Sequence, residues 1–160
     1  MTTAATSAPT GLRMGSRHGA AIASIAGAIA LTAFGIWGDG TPGAEDDRLV
    51  SFLVDCGFIA IGAALVFGLA VPRGLKRLAA TGRAGTGAVV MSVLALVLVV
   101  PAFWTGLPPV LAAGGIMLGL AGRTANRGGL AIAATVLGLL AIVGDVAIYI
   151  ADWMNTNGVL

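Results

Sequence analysis

The sequence predicts an all-α fold, a polytopic transmembrane helical bundle of five spans. Three observations carry this. Of the 160 residues, 58% are apolar and only 10% are charged, whereas a soluble domain carries about a quarter charged residues. The mean hydropathy is +0.98, and a water-soluble chain this short could not bury so much apolar surface. The apolar residues also fall in continuous runs, not in the alternation of a membrane barrel strand.

Residues 1–18 are rich in Thr, Ala, Ser, Pro and Gly. Too little in them is apolar to fold alone, so a disordered cytoplasmic tail is expected. A single transmembrane domain should then occupy residues 19–151. At about 1.5 Å per residue, the first span (19–37) reaches roughly across a ~30 Å hydrocarbon core. No A-x-A site follows it cleanly, which argues against a signal peptide. The loop GDGTPGAEDDR is made of turn formers. The second span (49–71) should stop at Pro72, ahead of a basic loop with Arg73, Lys76, Arg77 and Arg83. The third (86–103) has Pro101 near its end, and a tight turn is expected at 105–109. The fourth (107–121) covers only about 22 Å. Four spans plus a re-entrant segment at 107–122 is therefore the alternative. The fifth span is 129–151, leaving residues 152–160 as a short outer tail.

Charge sets the expected orientation. With the N-terminus in the cytoplasm and five crossings, Arg13, Arg17, Arg73, Lys76, Arg77, Arg83, Arg123 and Arg127 fall inside, and only Arg48 falls outside. Lys and Arg in short cytoplasmic loops are the main determinant of orientation. The same threading puts Trp37, Trp104, Trp153 and Tyr149 at the outer interface, where amphipathic rings are half dry and half wet. A re-entrant fourth segment would strand Arg123 and Arg127 outside. The expectation is thus a multi-pass protein of the cell inner (plasma) membrane, N-terminus cytoplasmic and C-terminus extracytoplasmic.

Membrane helices associate through small residues that let backbones approach. Ala60, Ala64 and Gly68 form such a row in the second span, and Gly115 and Gly119 a GxxxG pair in the fourth. In the fifth, Ala131, Ala134, Gly138 and Ala141 follow one helical face, which Asp145 extends. These are the expected packing seams. Asp145 and Asp55 each lie six residues inside the outer end of their spans, about 9 Å deep. Intramembrane carboxylates are costly and often mark ion or proton paths, so both are candidate ion or proton sites. The plainer reading is that each reaches interfacial water. Asp55 also shares its helix side with Phe52, Ile59, Val66 and Leu69.

Other chemistry is thinly represented. Cys56, the single cysteine, excludes an internal disulfide and reads as a small apolar packer. His18 reads as a solvated residue at the start of the first span. The sequence holds no G-x-S-x-G, H-E-x-x-H or Walker loop and no Cys/His ligand set. No catalytic, cofactor-binding or metal-binding residue is therefore expected. Nor does any basic tract interleaved with aromatics suggest nucleic-acid binding. One lysine against eight arginines, amid abundant Ala, Gly and Val, suits coding in a high-GC bacterial genome.

The stretch GLAGRTANRGGLAIAATVLG, residues 119–138, resembles a two-helix domain of unknown function found in many small membrane proteins of high-GC bacteria. The matching residues are Leu118, Gly119, Arg127, Gly128, Gly129, Leu130, Ala131, Ile132 and Ala133. The resemblance covers the last two spans. It implies a helical hairpin with a cytoplasmic loop and no known activity.

These features imply a small non-enzymatic integral membrane protein, structural or an accessory subunit of a membrane assembly. Its expected partners are the lipid bilayer and other membrane proteins or a second copy of the chain. The alternative is a small transporter or ion-conducting oligomer that uses Asp145, with or without Asp55.

Overall fold

The computed structural model describes residues 14–38, 45–82, 86–126 and 128–159, and these are helical apart from short turns. The expected tail lies largely outside them, as do Arg13, Arg83 and Arg127. The elements are α1 (Met14–Trp37), α2 (Glu45–Ala63), a π-helical stretch (Ala64–Ala70), α3 (Val71–Thr81), α4 (Thr86–Ala102), a 3-10 turn (Phe103–Thr105), α5 (Leu107–Asn126) and α6 (Gly129–Thr156).

Among the described residues, four helical segments are long and apolar enough to cross a membrane: His18–Trp37, Asp47–Thr81, Thr86–Thr105 and Gly129–Thr156. This is the character of an integral membrane protein. The remaining helix, α5, is not among them. It is rich in Gly, Ala and Pro because it is the central helix, packed against α1, α2, α3, α4 and α6. Leu120 is its one large apolar side chain left exposed. A helix enclosed by others has no need of the bulky apolar coat that lipid contact favours.

Helix ends differ from the sequence expectation in several places, and α1 and α2 begin four or five residues early, at Met14 and Glu45. Pro72 does not stop the second helix. It sits in the first turn of α3, just after the π-helical stretch, and the helix runs on to Thr81. A proline ring collides with the carbonyl four residues before it and offers no N–H. The wider π turn absorbs this, with the Val71 N–H bonding to Val66 O. The fourth helix continues past Ala121 to Asn126, giving 20 residues, or about 30 Å, in one uninterrupted piece. The Thr124 hydroxyl bonds back to Ala121 O at 2.8 Å, and Arg123 in the last turn suits the negative helix end. α6 likewise extends to Thr156, taking in most of the expected outer tail. The turn before α5 spans 103–106 rather than 105–109: Gly106 takes a left-handed conformation (φ 65°), and Pro108 and Pro109 open α5, where their missing N–H groups cost little.

The tightest part of the bundle is α4, α5 and α6. α5 runs antiparallel to the other two, and all three pack against one another. Gly115 lies against Ser92 and Ala88 of α4, and Gly119 against Thr135 and Ala131 of α6. The Ser92 hydroxyl donates to Ala134 O at 2.7 Å, joining α4 to α6 directly. α1 and the α2–α3 rod pack on the outside of this trio, with Ile59, Ala63, Val66 and Val71 facing Val110 and Leu118.

Candidate functional site

At one end of the bundle, aromatic side chains tie the helices together. Trp153 Nε1 donates to Gly38 O at 2.8 Å. Phe34 packs near Trp153 with ring centroids 6.3 Å apart, and Trp37 meets Phe52 edge-on at 5.0 Å. Trp37, Trp104 and Trp153 are exposed there. Tyr149 is not. It is only 4% exposed, and its hydroxyl donates to Phe103 O at 3.0 Å while its ring meets Phe103 edge-on at 5.2 Å. The tyrosine expected at the outer interface is therefore inside the bundle, because the 3-10 turn after Pro101 leaves a carbonyl within its reach. Gly35 of α1 lets the ring in: a Cβ there would lie 2.8 Å from Tyr149 Cε1.

Asp145 lies one turn below Tyr149 on the same face of α6 and is 0% exposed. Among the described residues neither of its carboxyl oxygens has a hydrogen-bond partner. Thr32 of α1 is 2% exposed, and its hydroxyl is likewise without one. Thr32 and Tyr149 are close neighbours, but the Thr32 hydroxyl falls short of good bonding geometry. Gly106 closes the cluster from the α4–α5 turn, where a Cβ would lie 2.6 Å from Ile59 and 3.3 Å from Thr32 Oγ1. Asp55 of α2 is half-buried at the edge of this cluster, one turn from buried Ile59.

The arrangement gathers a carboxyl, a hydroxyl and a phenol from two helices in an apolar setting. A buried carboxylate is expensive in such surroundings. Asp145 thus requires a proton, a cation or a hydrogen-bond donor to offset its burial. Among the described residues no group of three or more His, Cys, Asp or Glu side chains is placed to hold a metal ion.

The seam residues fall as follows. Ala131, Ala134, Gly138 and Ala141 are all buried on the face of α6 that carries Asp145. Gly115 and Gly119 are both buried but serve different neighbours, α4 and α6. Ala60, Ala64 and Gly68 point outward, and the inward positions of that rod are Ile59, Gly62, Ala63 and Val66. Cys56 is a half-buried free thiol, and His18 is exposed at the start of α1. Sequence reasoning missed Thr32 and Ser92. Their signal was present, since each is a hydroxyl deep within an apolar stretch, where such a side chain can bond to a neighbouring helix. Comparison with protein-family models, with curated proteins and with solved structures gives no match.

Proposed function

We propose that the chain is a non-catalytic multi-pass protein of the bacterial inner (plasma) membrane that serves as a structural or accessory subunit of a membrane assembly. It crosses five times, with the N-terminus cytoplasmic and the C-terminus outside. Four long apolar helices and the eight-to-one charge split support the threading. The 20-residue length of α5 supports counting it as a fifth, enclosed crossing. The resemblance of residues 119–138 to a two-helix domain without known activity belongs with this reading, its hairpin corresponding to α5 and α6.

The observation that carries the accessory role is the outward row Ala60, Ala64 and Gly68. The row is exposed, and nothing lies within 4 Å of a Cβ built on Gly68. It is flanked by exposed Phe58, Ile61, Leu65 and Leu69. Small residues in such a setting allow close approach of another membrane helix, and the other described residues of this chain leave them uncovered. Purification in mild detergent tests the role: a second membrane protein in fixed stoichiometry is expected. A pure homo-oligomer would contradict it.

A second reading, passage of protons or small cations, is favoured by one feature, the fully buried carboxyl of Asp145 with both oxygens unpartnered among the described residues. Flux in vesicles reconstituted with the purified chain, lost in Asp145→Asn, would support that reading.

A further inference from the structure

At the opposite end of the bundle a cavity of about 360 Å³ opens between α3 and the start of α4. Arg73 and Arg77 line it; four residues apart, they share one side of α3. Its floor is apolar, formed by buried Leu78, Met91 and Leu118, and Gly87 of α4 completes the rim. The sequence explains how α3 comes to stand there. The helix runs on through the π-helical stretch and Pro72 into α3, and Gly74 lets α3 settle on α5, since a Cβ at that position would lie 2.7 Å from Leu118 Cδ2. Val71 and Leu78 face inward, while Arg73, Lys76 and Arg77 are exposed.

The charge balance at this end is one-sided. No acidic residue occurs anywhere between Asp55 and Asp145. α3 and α5 thus supply cations, and neither they nor α4 carries a carboxylate to neutralise them.

We propose that this cavity binds the headgroup phosphate of an anionic phospholipid, held by Arg73 and Arg77, with the first part of one acyl chain lying over Leu78, Met91 and Leu118. The proposal rests on the membrane placement given above. Guanidinium forks match phosphate oxygens in geometry and charge, and basic pockets between membrane helices are recurrent sites for anionic headgroups. The volume is at the lower end of the roughly 300–1,000 Å³ of ligand pockets. It accommodates a headgroup and the root of a chain, the remainder lying outside along exposed Val90. A free phosphate ester would leave the apolar floor without a use, which is why a lipid is the occupant of choice.

Native mass spectrometry of the full chain in neutral detergent tests this, with phosphatidylglycerol, phosphatidylcholine and inorganic phosphate as separate probes. One phosphatidylglycerol should bind saturably, with the other two weaker by about tenfold or more, a difference of ~1.4 kcal/mol. Arg73→Gln with Arg77→Gln should weaken it by about thirtyfold, at roughly 1 kcal/mol per arginine. Lys76→Gln with Arg123→Gln removes the same charge outside the cavity and should cost less than about fivefold, because distant charges are screened at physiological salt. Equal loss in the two pairs, or equal binding of phosphatidylcholine, would overturn the site. Inorganic phosphate binding as tightly as the lipid would overturn the lipid as occupant. If the glutamine pair fails to fold, Arg73→Lys with Arg77→Lys keeps the charge and loses the fork; it should weaken binding on the order of fivefold, and unchanged affinity would count against the proposal. Alkaline carbonate extraction reads membrane residence separately. Retention in the membrane without lipid preference overturns the site alone, and release overturns both the site and the placement beneath it.

Discussion

Asp145 and Ser92 show two ways a polar side chain can sit inside an apolar bundle. Ser92 is satisfied, donating to Ala134 O across a helix boundary. Ser92→Ala should cost about 1 kcal/mol, read as a lowered thermal midpoint in detergent, and an unchanged midpoint would mean the bond is dispensable. Asp145 is buried on the same helix as that acceptor, with both oxygens unpartnered among the described residues. Asp145→Asn keeps shape and hydrogen-bonding capacity while removing the titratable proton. In a structural role it should leave stability within about 0.5 kcal/mol, whereas Asp145→Leu should destabilise by about 1–3 kcal/mol through crowding of the Thr32 and Tyr149 cluster. Matching stability in both variants, with no flux in either or in the parent, would reduce Asp145 to an incidental acid. The direction in which Asp145 points was legible in the sequence, because Ala131, Ala134, Gly138 and Ala141 define its face. The company it keeps was not. Thr32 lies 113 positions away in the chain, and only the packing of α1 against α6 brings it near.

At the scale of elements, glycine placement decides which helices touch. A Cβ on Gly138 would stand 3.0 Å from Ala112 O and 2.6 Å from Ile116 Cγ1, so a leucine there must push α5 and α6 apart. Gly138→Leu should lower stability by about 2 kcal/mol or more. Leu139→Ala, at a side chain 52% exposed, should change it by under about 0.5 kcal/mol. Thermal unfolding of the two variants in one detergent makes the comparison, and equal midpoints would refute the seam. Small-residue spacing located this seam from sequence alone. The same pattern misdirected the reading of α2, where Ala60, Ala64 and Gly68 face outward, because spacing identifies a face but not what covers it. Helix ends were read worst where local rules met tertiary compensation. Pro72 has the chemistry of a stop, and the π turn before it cancels that chemistry. Arg123 and Thr124 looked like loop, yet both sit comfortably in the last turns of α5.

Seen whole, the molecule is an inner trio of α4, α5 and α6 with α1 and the α2–α3 rod laid against it, one end aromatic and acidic and the other basic. Composition revealed the class of fold, because so little charge in so short a chain suits only a low-dielectric solvent. It could not reveal that the weakest apolar segment would be the most enclosed, since hydropathy reports the coat a helix wears and α5 is clothed by its neighbours. The central claim is that α5 is a full crossing. Topology reporters placed after Gly82, after Gly128 and after Leu160 test it most directly. A full crossing gives cytoplasmic signals at Gly82 and Gly128 and an extracytoplasmic signal at Leu160, and a cytoplasmic signal at Leu160 would contradict it.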